Sequence, residues 1–214
     1  MFKTEHELWV RSQLGEAEVD PERLVAQQVY AALIDGATTA ARFADWYNWT
    51  SWALAPEPQW KENHLEAIQQ LRRTVFAAIW PAKHPELEIA LQHFSLVLSK
   101  AARTFREHGE IDGNIVRADM FYRRANSEVL YNERHDAFMG WIKECHELIF
   151  EATKAANWLA DCVRKYVNPM FYALEGKFIV AYESGFNVSD LRPEYSIQER
   201  ERLITQYQGL SGRK

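Results

Sequence analysis

The chain has 214 residues, of which 47% are hydrophobic and 26% are charged, and its formal net charge at pH 7 is −5. These values are typical of a folded globular protein and argue against a disordered or membrane-embedded chain. The negative charge argues against a general nucleic-acid coat. No apolar run reaches the length of a membrane span, and the sequence opens with charged residues rather than with a signal peptide. We therefore expect a cytoplasmic protein with no membrane partner.

Short capping and proline patterns predict three helices within the first 55 residues. Thr4–Glu7 fits a capping box that begins a short helix. Asp20-Pro21-Glu22 predicts a second helix, which we expect to end at Gly36. A third helix is predicted from residues 38–39 to about Leu54.

Aromatic residues crowd this third predicted helix. Its tryptophans are Trp46, Trp49 and Trp52. Successive helical residues point about 100° apart, so these rings cannot all face one direction. We expect one face to bury Phe43, Tyr47 and Leu54, and the other to leave one or more tryptophans at a surface that binds a partner. The alternative is a central helix covered on both sides, and the sequence favours neither.

Two further helices with a short connection are predicted between residues 59 and 109. Apolar faces predict a helix from Gln59 to Trp80 and a second from Pro85 to Gly109. So short a connection makes the two helices antiparallel neighbours. Residues 109–126 show no clean period, and Asp112-Gly113-Asn114 indicates a turn.

The longest helical pattern runs from Glu133 to Asn168. Its apolar residues recur every three or four positions, as the a and d positions of a heptad do. They are Phe138, Ile142, Cys145, Ile149, Ala152, Ala156, Leu159, Val163 and Tyr166. The two cysteines, Cys145 and Cys162, are roughly 25 Å apart on this helix, too far for a disulfide, so we expect reduced thiols. A disulfide between two copies of the chain is the alternative.

After the long helix, the pattern changes to short runs of aromatic and β-branched residues. Met170–Leu174 and Lys177–Tyr182 flank Glu175-Gly176 and predict a small β-hairpin. Ser196–Glu199 is a second capping box and predicts a final helix to about Tyr207.

The predicted fold is all-α. It is an antiparallel helical bundle built on the one long helix of the C-terminal half, with a small β-hairpin near the C-terminus. Residues 1–55 supply N-terminal helices that pack on the bundle, residues 56–168 form its core, and residues 169–214 add the hairpin and the last helix. We expect these parts to form a single globular domain.

Several kinds of active site are missing from the sequence. No glutamate has a histidine three residues later, and no cysteines and histidines converge at zinc-binding spacing, so we predict no metal site. No phosphate-binding glycine loop, nucleophile elbow or His-Glu-x-x-His motif occurs, and no cofactor is predicted.

One short pattern resembles a known family. Arg103 and His108 are separated by four residues in a predicted helix, which is similar to the Arg-x(4–6)-His motif of HEPN (higher eukaryotes and prokaryotes nucleotide-binding) ribonucleases. The resemblance implies a metal-independent endoribonuclease of the toxin or defence type, in which a dimer brings two motifs together. It makes His108 the general acid/base and Arg103 the phosphate clamp. Alternatively, His108 only closes the apolar face at its helix end.

Neighbouring residues could extend such an RNA site. Basic side chains would contact phosphates, and a tyrosine could stack on a base. The candidate binding residues are Arg106, Arg117, Tyr122, Arg123 and Arg124.

We weigh three functions. The favoured one is a non-catalytic helical-bundle binding protein that self-associates or takes a protein partner, because apolar stripes and surplus tryptophans occur without a catalytic set. The alternative is the HEPN-like ribonuclease, the only case in which RNA is the partner. The third is a bundle that encloses a small apolar or nucleotide ligand between its helices.

Overall fold

A computed structural model describes residues 21–184 and 187–211, so the helix predicted after Thr4–Glu7 lies outside the described residues. The described part is predominantly helical. Its α-helices are α1 (Pro21–Ala40), α2 (Trp46–Ala53), α3 (Glu62–Ala77), α4 (Pro85–Glu107), α5 (Glu128–Tyr166) and α6 (Ile197–Ser211). Short 3-10 helices lie at Phe43–Asp45 and Phe121–Arg124. None of the described helices is long and apolar enough to cross a membrane.

Two small antiparallel sheets accompany the helices. The first contains β1 (Gln59–Lys61), β2 (Gly109–Asp112) and β3 (Ile115–Ala118), with β3 in the middle. In the second, β4 (Val180–Ser184) pairs with β5 (Asn187–Leu191).

The apolar stripe of the long helix is buried. Every predicted stripe residue from Phe138 to Val163 lies in the core, and only Tyr166 at the end is partly exposed. Helix α5 begins a few residues before the predicted start because the Oγ of Ser127 accepts a hydrogen bond from the Leu130 amide and caps it. Its principal packing partner is α4. Both cysteines are free and buried in this core.

Helix α1 does not end at Gly36, as the sequence predicts, but continues to Ala40. Ala37 and Ala41 beyond the glycine are completely buried. A glycine inside a helix costs about 1 kcal/mol relative to alanine. Burial of the following turn therefore outweighs the local stop signal.

The three-stranded sheet is absent from the sequence prediction, apart from the turn at residues 112–114. Gly113 has the left-handed backbone conformation that this turn requires, with φ +64°. Gly109 lies so close to β3 that an added Cβ would come within 2.6 Å of the Val116 Cγ1. Because β1 pairs with β3, the helix predicted from Gln59 starts only at Glu62.

The C-terminal hairpin lies later in the chain than predicted. Residues 170–174 form turns instead of a strand, and Tyr172 has a φ of 45°. The position of the hairpin is set by Asn157 of α5, whose side chain bonds both the amide and the carbonyl of Phe178. The predicted capping box of α6 is confirmed: Ser196 and Glu199 each accept a hydrogen bond from the other's backbone amide.

Candidate functional site

The residues of the ribonuclease-like motif are both exposed. Within residues 21–184 and 187–211, no hydrogen bond or ion pair joins Arg103 to His108. His108 follows the last residue of α4, and its ring contacts Phe121 and Trp141 at centroid distances of 4.7 and 5.4 Å. A shared RNA site of these two side chains therefore stays a prediction, which RNA decay by wild type and His108→Ala would test.

Acidic side chains pair with some of the basic residues that the sequence suggests for RNA binding. Arg117 lies 3.5 Å from Asp112, and Arg124 forms an ion pair with Asp119. The guanidinium of Arg123 lies over the Tyr122 ring. Arg106 is exposed, while the Tyr122 ring packs on Tyr131, His135 and Phe138. Two of the five candidate side chains, Arg117 and Arg124, are therefore already paired with carboxylates.

The aromatic helix is oriented differently from the prediction. Trp46 and Trp49 are buried, Trp52 is 50% exposed, and Phe43 and Leu54 are buried as expected. Tyr47 lies on the outer face instead of the inner one, where its hydroxyl donates a hydrogen bond to Asp190. Residues three apart share a helix face, so once Trp46 and Trp49 turn inward, the adjacent tyrosine must turn out.

Two of these tryptophans line a cavity of about 490 Å³. The cavity, here called the tryptophan pocket, is formed entirely by residues 42–64: the first 3-10 helix, α2, β1 and the first turn of α3. Its lining residues are Arg42, Asp45, Asn48, Trp49, Trp52, Gln59, Trp60, Lys61 and His64. A volume of this size is typical of a small-molecule site.

The inner wall of the tryptophan pocket is a rigid aromatic cluster. Strand β1 holds Trp60 opposite Val116 of β3, and its buried ring stacks on Phe105 at 5.9 Å and on His64 at 5.5 Å. Trp49 meets both Trp60 (5.1 Å) and His64 (4.8 Å). Aromatic pairs at such distances favour each other beyond simple burial, so this wall is formed before any ligand arrives.

His64 is the unusual polar group of this wall. Its side chain is buried, with 4% of the residue exposed, and its Nε2 has no hydrogen-bond partner among the described residues. Burial lowers the pKa of His64 from 6.5 to about 4, and the positive charge of Arg42 acts in the same direction. The imidazole is therefore neutral at pH 7 and presents one donor and one acceptor.

Arg42 has a strained backbone at the edge of the cavity. Its φ and ψ are both 52°, a left-handed conformation that costs a non-glycine residue about 1–3 kcal/mol. The guanidinium is 2.6 Å from Asp45, whose second carboxylate oxygen accepts a hydrogen bond from Asn48 at 2.9 Å. Charge-assisted bonds of this kind offset the strain. Both oxygens of Asp45 are thus already engaged.

The lining carries net positive charge. Arg42 and Lys61 stand against the single carboxylate of Asp45, and Lys61 has no ion pair in the described part of the chain. A ligand cation ~6 Å from one of these cations is repelled by about 3 kcal/mol at an effective dielectric constant of ~20. A cation–π contact with an indole contributes only about 0.5–2 kcal/mol. The tryptophan pocket therefore disfavours cationic ligands.

The buried histidine predicts a loss of stability in mild acid. The pKa of His64 is depressed in the folded protein, so the unfolded chain binds this proton more readily and stability falls as pH drops from about 6.5 to 4. We expect a loss of about 3 kcal/mol from this group between pH 7 and 4. Burial also lowers the pKa values of His93 and His146, which act in the same direction.

Urea unfolding at pH 7, 6, 5 and 4 measures this loss. His64→Gln is the control variant, because it removes one titrating group and should flatten the slope over the same interval. A free energy of unfolding that is unchanged or higher at pH 5 than at pH 7 would contradict the prediction.

Only part of this site is evident from the sequence. Trp49 and Trp52 are binding candidates there, but the other lining residues, which lie on and beside the first 3-10 helix, on α2, on β1 and in the first turn of α3, are not. A signal was present at His64: it precedes Ile68, Leu71 and Val75 at helical spacing, on the buried face of α3. A histidine at such a position is either paired in the core or directed into a cavity.

Among the described residues, no group of three or more His, Cys, Asp or Glu side chains could hold a metal ion. The tryptophan pocket therefore offers aromatic faces, amides, two cations and a neutral imidazole as its binding groups. No family model, curated protein or solved structure matches this chain.

Proposed function

We propose that the chain is a non-catalytic binding protein that holds the planar ring of a small molecule in the tryptophan pocket. The observation that carries this proposal is an open cavity of about 490 Å³ whose wall is formed by the rings of Trp49, Trp52 and Trp60 and by a neutral histidine. A preformed cavity lined mainly by aromatic side chains with a few polar groups is the usual form of a small-molecule site.

The lining suits a flat ring. Trp49 and Trp60 give a fixed aromatic surface, and the half-exposed Trp52 can cover the ligand from the solvent side. Stacking of a ring on an aromatic side chain contributes about 1–3 kcal/mol. The amides of Asn48 and Gln59 supply hydrogen bonds that would orient its edge.

Binding fits this cavity better than catalysis. Its lining contains no serine, threonine or cysteine nucleophile. The imidazole of His64 has no carboxylate hydrogen-bonded to it in the described part of the chain, and Asp45 is occupied by Arg42 and Asn48. A catalytic histidine is normally oriented by a third group, which is absent here.

Trp52→Ala is expected to weaken binding of a planar aromatic ligand by about tenfold, the equivalent of one lost stacking contact. Indole is a suitable neutral probe. The measurement is titration of ¹⁵N-labelled protein with indole, following the tryptophan side-chain N–H resonances. Those of Trp49, Trp52 and Trp60 should shift together.

Phe76→Ala is the matched control, because Phe76 is 51% exposed, like Trp52, but lies on α3 outside the cavity. It should leave the affinity unchanged. If no planar aromatic probe, neutral or charged, shifts any of the three pocket resonances at millimolar concentration, the proposed function is wrong.

A second candidate function is self-association through the antiparallel helical bundle that we infer around α5. An apolar groove of about 590 Å³ runs beside this helix and includes the side chains of Ile142, Phe150 and Met139, which is half exposed. Val129 and Tyr131, nearer the start of α5, are also exposed. Apolar patches of this kind often mark protein interfaces. Sedimentation velocity over a wide concentration range distinguishes a monomer from a reversible dimer.

A further inference from the structure

We infer that the ligand of the tryptophan pocket is a planar aromatic anion, in which a carboxylate or phosphate beside the ring binds Lys61 and Arg42. The inference rests on the proposed function and adds the chemical class of the ligand. It comes from the charges of the lining and from the hydrogen-bonding groups that the fold leaves unused.

Lys61 supplies the first half of the proposed anion site. It is the last residue of β1, and its backbone position is fixed by pairing with Ile115 of β3. Its ammonium forms no ion pair within residues 21–184 and 187–211, whereas the nearby Arg42 already has Asp45. A cation held at an aromatic cavity without a counter-ion is available to an anionic ligand.

Arg42 supplies the second half of an anion site. Only one of its side-chain nitrogens donates a hydrogen bond within the described chain, so most of its five N–H groups remain available. The contact with Asp45 holds the guanidinium in place and compensates its strained backbone. A planar guanidinium that is already positioned suits a two-oxygen acceptor such as a carboxylate or phosphate.

The uncharged groups of the lining indicate which kind of ring the ligand contains. His64 lies in the inner wall with an unpaired Nε2, and it contacts the rings of Trp49 and Trp60. A ring with a nitrogen or carbonyl at its edge can pair with the lining amides of Asn48 and Gln59, while its faces meet the indoles. A lining with two cations, two amides and several aromatic rings thus fits a heteroaromatic ring with an acidic substituent.

Two kinds of compound share this chemistry: aromatic carboxylates and nucleoside monophosphates. Calorimetry with matched probes tests both. Indole, indole-3-acetate and tryptamine differ chiefly in charge, and adenosine and adenosine monophosphate differ by the phosphate. We expect the anion of either set to bind at least about tenfold more tightly than its neutral partner, and tryptamine to bind more weakly than indole.

The variant Lys61→Met tests whether Lys61 binds the anionic group of the ligand. The variant keeps an unbranched apolar stem and removes the charge, so it should abolish most of the affinity advantage of indole-3-acetate over indole. Lys143→Met, at an exposed position of α5 outside the tryptophan pocket, is the control and should change neither affinity. Raising the salt concentration should weaken the anion and not indole.

The outcomes separate the two proposals. If indole binds at the pocket but the anions bind no more tightly than their neutral partners, the ligand class is wrong and the proposed function stands. The same conclusion follows if tryptamine has the highest affinity. If none of the five probes shifts the pocket tryptophan resonances, the proposed function fails and the ligand class with it. The wild-type series is decisive without any variant, so the result does not depend on how Lys61→Met folds.

Discussion

Replacement of Ile149 by aspartate is expected to unfold the protein at neutral pH. Ile149 lies near the middle of α5 and is 1% exposed. A carboxylate at this position must either remain charged in the apolar core or take up a proton, at a cost of several kcal/mol. Domains of this kind are stable by only about 5–15 kcal/mol, so one such change removes much or all of the folding free energy.

Far-UV circular dichroism and thermal melting measure this effect. Lys143→Ala on the same helix is the control, because Lys143 is exposed and only 3.8 Å from Glu147, one turn away. Such surface pairs contribute about 0.5 kcal/mol or less. A folded Ile149→Asp protein with the wild-type melting temperature would mean that this face of α5 is not buried.

Loss of the Asn157 side chain is expected to have the second-largest effect. Asn157 is completely buried in α5, and its amide nitrogen donates to the carbonyls of Phe178 and Pro193 at 2.9 and 2.8 Å. Its Oδ1 accepts from the Phe178 amide at 2.7 Å. Asn157→Ala would leave these backbone groups buried and unpaired, which costs about 1–3 kcal/mol for each group. We expect a total destabilisation of about 3–4 kcal/mol.

Hydrogen exchange locates the effect. The Phe178 amide should lose its protection in Asn157→Ala before the core of α5 does, because Asn157 attaches the segment that precedes the C-terminal hairpin. Thr153→Val is the control: Thr153 is also completely buried, one turn away, but its hydroxyl donates a hydrogen bond within its own helix, to the Ile149 carbonyl. It should cost less than about 1 kcal/mol. Equal losses in the two variants would argue against the attachment role of Asn157.

Helix starts and faces could be predicted because they depend on neighbouring residues. Pro21 and Pro85 begin helices where their missing N–H groups cost nothing, and Ser196 with Glu199 caps α6. The three- and four-residue spacing from Phe138 to Val163 predicts the buried face of α5. Each of these signals acts within one or two turns of chain.

The sheet, the hairpin position and the tryptophan pocket depend on residues that are distant in sequence. β1 is a strand because β3, more than fifty residues later, offers it hydrogen bonds, although its own residues fit the start of a helix. The hairpin begins where Asn157 fixes Phe178, which no local propensity indicates.

The sequence by itself determined where α1, α4 and α6 begin and which face of the long helix is buried, since capping and apolar spacing are local properties, but it placed the start of α2 at residues 38–39 instead of Trp46. Only the tertiary structure decided that Trp46 and Trp49 turn inward, that Tyr47 turns out, and that His64 lies in the wall of a cavity beside Lys61. The physical reason is that the orientation of a short helix and the pairing of a three-residue strand have small intrinsic preferences. The free energy gained by packing against distant segments exceeds these intrinsic preferences.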